Sequence, residues 1–300
     1  MILGIDIGGT NIKFGVTDDE FNIIEKYSIP TEAERTDMEI LSDIAKQIVE
    51  IDKKYNIDAI GIGSPGTLDV EKGIGILATN LPYNNTRICE FISEHTQKAT
   101  FLENDAICAA YGELYCGCGK EADTFIMVTL GTGVGGGAVI NRQIYSVNGK
   151  DSCDIGHMII KFDGEMCPCG QRGCFEQYAS VTALISQTKE AIKSNPDSIL
   201  AKTAVEDVTG KTVFDAACAG CDVAQNVINT YIDYLSAGIQ NCVNIFQPEA
   251  IVIGGAISKQ GDNILLPLKK RIKNMENIKI SSLGNDAGII GAAAMAKSLH

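Results

Sequence analysis

Two stretches of the chain follow one plan, and that repetition limits the fold more than any other feature of the sequence. Residues 2–17 read as an apolar strand (ILGIDI), a Gly-Gly-Thr turn and a second apolar strand (IKFGVT). Residues 124–140, TFIMVTLGTGVGGGAVI, read the same way. Later in each half a buried-type strand runs into a glycine loop, DAIGIGSPG at 58–66 and EAIVIGGAIS at 249–258. Two halves of β-meander followed by α/β units imply a duplicated α/β fold with a cleft between its lobes. The expected N-terminal lobe is 1–118 with a C-terminal helix, 288–300. The expected C-terminal lobe is 119–287.

The segments between these strands fit that plan. Residues 21–29 continue the first meander, and 37–54 are helical by period, with Met38, Leu41, Ile44, Ile48 and Ile51 along one face. ATFLEND (99–105) is a strand with carboxylates at its end, and AICAAYGELY follows as a helix. Helices are expected at 222–245 and 262–274, and small residues at 287–299 suit a helix packed closely on another element. A length of 300 residues suits two domains, and 45% apolar with 21% charged residues reads as globular. A formal charge of −13 without a basic stripe argues against a nucleic-acid surface. No apolar run reaches membrane-spanning length, and MILGIDIGGT enters a strand without a basic region, unlike a signal peptide. Eleven Cys, among them Cys108, Cys218 and Cys242 in apolar surroundings, read as reduced and cytoplasmic.

The glycine turns carry the first chemistry. In DIGGTNIK, Gly9 lets the backbone approach an anion, Thr10 and Asn11 offer further donors, Lys13 a charge, and Asp6 an anchor for hydrated Mg2+. Gly131, Thr132 and Gly133 form the matching turn of the second half, and Gly254-Gly255 a third, where a nucleoside could lie on bare backbone. An ordinary hairpin turn is the alternative for any one of them; their recurrence at equivalent strand ends favours an ATP site. None matches the P-loop or the Rossmann fingerprint. At Glu103-Asn104-Asp105, Asp105 is placed to accept the proton of a hydroxyl attacking a γ-phosphate, and Asn104 to orient a sugar hydroxyl. Asp105 also suits the N-cap of the following helix, where the helix N-terminus favours the ionised carboxylate.

His157, Cys167, Cys169 and Cys174 are spaced H-x9-C-x-C-x4-C. One imidazole and three thiols within so short a loop suit a closed tetrahedral Zn2+ site. Unligated thiols and an iron–sulfur cluster are the alternatives, and the single His with a C-x-C spacing fits the cluster less well.

Taken together, DIGGTNIK, GSPGTLD (63–69), NLP (80–82), END (103–105), GTGVGGG and DIGHMII…CPCGQRGCFEQYAS (154–180) resemble the ROK family of sugar kinases and repressors, within the actin/Hsp70/sugar-kinase superfamily. The resemblance covers the whole chain. It implies two ribonuclease-H-like (actin-like ATPase) lobes with mixed sheets flanked by helices, and a zinc-binding loop at 157–174. It also implies ATP and Mg2+ in the cleft, structural Zn2+, transfer of phosphate to the 6-hydroxyl of a hexose, and a homodimer. By position, Asp105 resembles the catalytic base, Asn104 a sugar ligand, and Gly66 and Thr67 the sugar-contacting loop. His157 resembles a zinc ligand that also faces the sugar, and Glu176 a carboxylate on sugar hydroxyls. The family usually has Glu three residues before the zinc His; here Asp154 stands there, one methylene shorter, and NLPYNNTRI replaces an aromatic-rich segment. Glucose is the expected hexose, with N-acetylmannosamine, allose, fructose and mannose as alternatives. A repressor-like sugar sensor, a sugar-independent ATPase and polyphosphate as donor fit the motifs less well.

Overall fold

A computed structural model describes residues 1–145 and 153–300. The chain divides into two compact units. One comprises Met1–Met127, Gly137–Cys153 and Ser281–His300; the other comprises Val128–Gly136 and Asp154–Ile280.

The elements of the first half are β1 (Ile2–Ile7), β2 (Asn11–Thr17), β3 (Ile23–Pro30), α1 (Asp37–Tyr55), β4 (Ala59–Ser64), β5 (Thr67–Asp69), β6 (Ile74–Leu77), β7 (Thr86–Arg87), α2 (Ile88–Thr96), β8 (Ala99–Asn104) and α3 (Asp105–Tyr115). Those of the second are β9 (Phe125–Leu130), β10 (Val134–Ile140), β11 (Gln143–Ile144), α4 (Glu176–Ala179), α5 (Val181–Ser194), α6 (Thr212–Cys218), α7 (Asp222–Phe246), β12 (Ala250–Gly254), α8 (Asp262–Arg271), β13 (Ile278–Ile280) and α9 (Ala287–Leu299). Among the described residues two five-stranded mixed sheets form, ordered β3-β2-β1-β4-β8 and β11-β10-β9-β12-β13, with a small sheet β5-β6-β7. The duplicated α/β plan read from the sequence is present.

Helix α1 starts where the sequence signals it. Thr36 Oγ1 accepts the Glu39 amide at 3.3 Å, and Glu39 Oε2 accepts the Thr36 amide at 3.0 Å, a reciprocal cap. The helix buries Ile40, Leu41, Ile44, Ile48 and Ile51 over one face of the first sheet, against Leu3, Ile5, Phe14 and Ile62. Met38 does not join them; it is 51% exposed. At 100° per residue it falls at the rim of the stripe, roughly a third of a turn from its centre.

The opposite face is built of glycine. Gly4 pairs with Gly15 across β1 and β2 and with Gly61 across β1 and β4, so three bare backbones lie side by side. Helix α9 sits on them. A methyl added at Gly4 would lie 2.0 Å from the Ile289 carbonyl oxygen, and one at Gly61 would lie 1.9 Å from that of Ala292. On its other side α9 meets α3 as closely: a methyl at Gly291 would lie 1.5 Å from the Cys108 carbonyl oxygen. The small C-terminal residues read from the sequence are therefore the surface that permits this approach. At the far end of α3 the buried Glu113 carboxylate accepts the Ser281 hydroxyl at 2.6 Å, the Cys118 amide at 2.8 Å and the Leu283 amide at 3.2 Å.

As expected, the strand in 249–258 gives way to a glycine loop: it ends at Gly254, Gly255 adopts φ +83, and residues Ala256–Gln260 form a 3-10 turn. Two other sequence expectations need correction. Strand β3 begins at Ile23, because Phe21 turns the chain with φ +62. Cys218 is exposed at the end of α6, where the chain turns through Gly220.

Gly61→Ala is expected to destabilise the chain by about 1–3 kcal/mol, since its methyl meets helix backbone and not a movable side chain. Urea unfolding would check this, and an unchanged midpoint would refute the close-approach account.

Candidate functional site

In the first unit, parallel pairing brings three strand ends to one level. Asp6 pairs with Gly63, and Gly63 with Glu103, so these residues face the same side across β1, β4 and β8. Cys108 of α3 lies beneath: a methyl at Gly63 would sit 3.1 Å from its sulfur. Burial pushes the Cys108 thiol well above its usual range, and the carboxylates of Glu103, Asp105 and Asp6 add to the push. Asp6 takes an ion pair from Lys13 Nζ at 2.9 Å and lies next to Gly288 in the first turn of α9.

The N-cap of α3 is Asn104, not Asp105. Asn104 has φ −64 and ψ 142, and its Oδ1 accepts the amides of Ala106 at 2.9 Å and Ile107 at 3.3 Å. Its side-chain NH2 is thereby turned away as a donor. Asp105 becomes the first helical residue, with Oδ1 on the Ala106 amide at 2.8 Å. Glu103 Oε1 accepts the Asn104 amide at 2.8 Å and fixes the turn from the other side. Nearby, Gly66 adopts φ +102, and the exposed Thr67 opens β5.

The β1–β2 turn, with Gly9, Thr10 and Asn11 exposed, has its carbonyls tied back. Thr31 does most of this: its hydroxyl donates to the Gly8 oxygen at 2.6 Å and its amide to the Thr10 oxygen at 3.0 Å. The Gly8 amide closes on the Asn11 oxygen at 3.1 Å.

In the second unit the β9–β10 turn is held in the same manner by other residues. The Val181 amide donates to the Gly131 oxygen at 2.8 Å, and the Thr182 hydroxyl to the Thr132 oxygen at 2.8 Å. A planar trans peptide with its carbonyl pinned aims its N–H the opposite way. The amides of Thr132 and Gly133 are so directed away from α5, as a pair of donors for an anion. Glu176 Oε2 accepts the Val134 amide at 3.1 Å, and a methyl at Gly133 would sit 2.0 Å from that oxygen. Gly255, with its positive φ, lies on the Leu130 backbone, and Gly254 ends β12 beside it.

The expected metal ligands come together. Donor atoms of His157, Cys167, Cys169 and Cys174 all lie within 4.8 Å of one another. Zinc–sulfur and zinc–nitrogen bonds of about 2.3 and 2.0 Å set at tetrahedral angles put S···S near 3.8 Å and S···N near 3.5 Å. Here Cys169 and Cys174 sulfurs are 3.6 Å apart, and Cys167 Sγ is 3.6 Å from His157 Nδ1. The residues fit the ion. Bridges Ile159–Cys174 and Met166–Arg172 fold the loop, and Gly173, at φ +79, leaves room for the Lys161 carbonyl. Gln177 and Gln171 side-chain amides point at the Cys167 and Cys169 sulfurs at 3.6 and 3.8 Å, supporting negative charge there. His157 Nε2, the ring's other nitrogen, faces Asp154 Oδ2 at 3.9 Å.

Thr31 and Thr182 were not singled out in the sequence, and Glu103 and Gly156 stood there only within the END and DIGH motifs, without a role of their own. Each acts by holding backbone, and the only signal for the threonines is their place after β3 and at the start of α5.

Duplicated α/β units, each with a glycine turn whose carbonyls are withdrawn and whose amides face outward, define a phosphate-handling fold of the actin and sugar-kinase class. The chain belongs to the ROK family, whose profile matches residues 2–299. It is 34% identical to a glucokinase of Thermotoga maritima over 99% of this chain and 97% of that protein. With a glucokinase of Halalkalibacterium halodurans the identity is 36%, over 98% and 94%. A crystal structure of a ROK glucokinase from Streptomyces griseus in complex with glucose and AMPPNP superposes with a TM-score of 0.87 at 30% identity, covering 99% of each chain.

The purified chain is expected to carry stoichiometric zinc, and Cys174→Ser to lower both zinc content and folded yield. Elemental analysis with circular dichroism checks this; a metal-free, equally stable variant would refute a structural ion.

Proposed function

We propose that this chain transfers the γ-phosphate of ATP to the 6-hydroxyl of a hexose, glucose first among them. The observation that carries the reading is the pair of glycine turns with their carbonyls tied back, one in each unit. The glucokinase relatives, similar over nearly their full length, support the same assignment.

The first unit supplies the reacting groups. Asp105 accepts the hydroxyl proton as the sugar oxygen bonds to the γ-phosphorus; the bond from that phosphorus to the β–γ bridging oxygen breaks, and ADP leaves. Asn104, with Oδ1 committed to the helix, offers its NH2 to a sugar hydroxyl, beside Gly66 and Thr67. Gly9, Thr10, Asn11 and Lys13 receive phosphate oxygens. Asp6 would hold hydrated Mg2+, which would supply charge neutralisation to the phosphates. The second unit supplies Gly131, Thr132 and Gly133 for phosphate, Gly254 and Gly255 for the nucleoside, and Asp154, His157 and Glu176 for sugar hydroxyls. His157, Cys167, Cys169 and Cys174 would hold Zn2+, which would order the loop between Asp154 and Glu176. The working lobes on this reading are 1–118 with 288–300, and 119–287.

The eleven thiols, all unbridged, fit a reducing, cytoplasmic setting, and among the described residues no helix is long and apolar enough to cross a membrane. A homodimer follows from the family resemblance. A second reading, a different hexose, is favoured by Asp154, whose shorter carboxylate turns toward His157 with its side chain 69% exposed.

Asp105→Asn is expected to lower kcat roughly a hundred- to ten-thousand-fold while sugar affinity stays within a few fold. Near-normal turnover would remove Asp105 from the base role. A coupled ADP-release assay with glucose, N-acetylmannosamine, fructose, mannose and allose identifies the acceptor, and no turnover with any of them would overturn the kinase reading.

A further inference from the structure

Both ends of the metal loop grip one residue, Val134, directly after the Gly131–Gly133 turn. Upstream, Gly156 precedes His157, and a methyl on it would lie 2.1 Å from the Val134 oxygen. Downstream, Glu176 follows Cys174 by two residues, and its Oε2 accepts the Val134 amide at 3.1 Å. The peptide joining Gly133 to Val134 is pinned at both poles, because its carbonyl takes the Gly131 amide at 3.0 Å. Release of the Val134 amide would free that plane to rotate and would carry Gly133, one of the outward donors, with it.

We propose that Glu176 is a positioning residue for the nucleotide's phosphates, and that the metal loop sets nucleotide affinity through it. The proposal rests on the phosphotransfer reading and adds a task to Glu176 beyond sugar contact. A carboxylate so near an anion site is electrostatically costly, which a residue serving the sugar alone would have no reason to incur on this side. Its charge is not what the turn needs. An amide oxygen accepts the same N–H, so Gln should serve the turn as well as Glu, while Ala leaves the buried amide without an acceptor.

The test is ADP binding by calorimetry without sugar, on zinc-replete protein matched for zinc content. Glu176→Ala is expected to weaken ADP on the order of tenfold, and Glu176→Gln to bind within about twofold of the unaltered chain. Chelating the zinc should weaken ADP for the unaltered chain and Glu176→Gln, and clearly less for Glu176→Ala. Should Glu176→Ala fail to fold, Gly133→Ala, whose methyl displaces the carboxylate, is expected to weaken ADP in its place. Unchanged ADP affinity in the Ala variant, or equal losses in Ala and Gln, overturns the proposal and leaves the kinase reading standing. An unaltered chain that binds no ADP overturns both.

Discussion

The closeness of α9 to the bare backbones of Gly4, Gly15 and Gly61 fixes most of the first unit. Protein interiors tolerate few gaps, so a helix can lie this near a sheet only where side chains are missing on both partners. Glycine supplies the sheet side, and the alanine-rich helix supplies the other. The consequence reaches the site directly. Asp6 stands on the same face of β1 as Gly4, two residues on, and so meets the first turn of α9 at Gly288. Helix α3 is clamped to α9 through Gly291 and Gly112, which sets where Asn104 and Asp105 emerge. Asp6 near the end of β1 and Asp105 at the start of α3 are thus arranged by a packing contact among residues with almost no side chain.

The second half repeats the strand plan but holds its turn differently. Near β1 a single threonine, Thr31, ties two carbonyls. Near β9 Val181 and Thr182 each tie one carbonyl and Glu176 accepts the Val134 amide, with Gly156 packed alongside. The segment from 154 to 182 therefore serves as the support of the turn as well as the metal loop. Within the loop Ile159, Phe162 and Met166 are all exposed, Phe162 at 96%, so it has a weak core of its own. Four ligands gathered on one ion would supply the rigidity that burial does not.

Strand–turn–strand repetition, the α1 stripe and the small C-terminal helix were legible because each leaves a periodic or compositional trace. The metal ligands were legible because spacing alone brings them close. Glu113 left no trace: a carboxylate mid-helix reads as solvated, and only the fold shows it buried among the donors of 118 and 281–283. Asp105, read as the base, was also offered as the cap of α3, when one residue's offset in the strand end gives the cap to Asn104. Thr31 and Thr182 act through register, which a single sequence does not print.

Asn104 and Glu176 share a division of labour. Each has one oxygen committed to backbone, to the α3 amides in one case and to Val134 in the other. On the proposed function, each offers its other terminal atom to a ligand. A side chain anchored in this way has surrendered its rotamer freedom on folding, so binding does not have to freeze it again, at a saving of about 0.5–1.5 kcal/mol per side chain. It also makes geometry and chemistry inseparable. Replacing either residue disturbs the backbone that presents its neighbours, Asp105 beside Asn104 and Gly133 beside the Val134 amide. Loss of activity in such variants consequently reports on two functions, and a substitution that preserves the structural acceptor is what separates them.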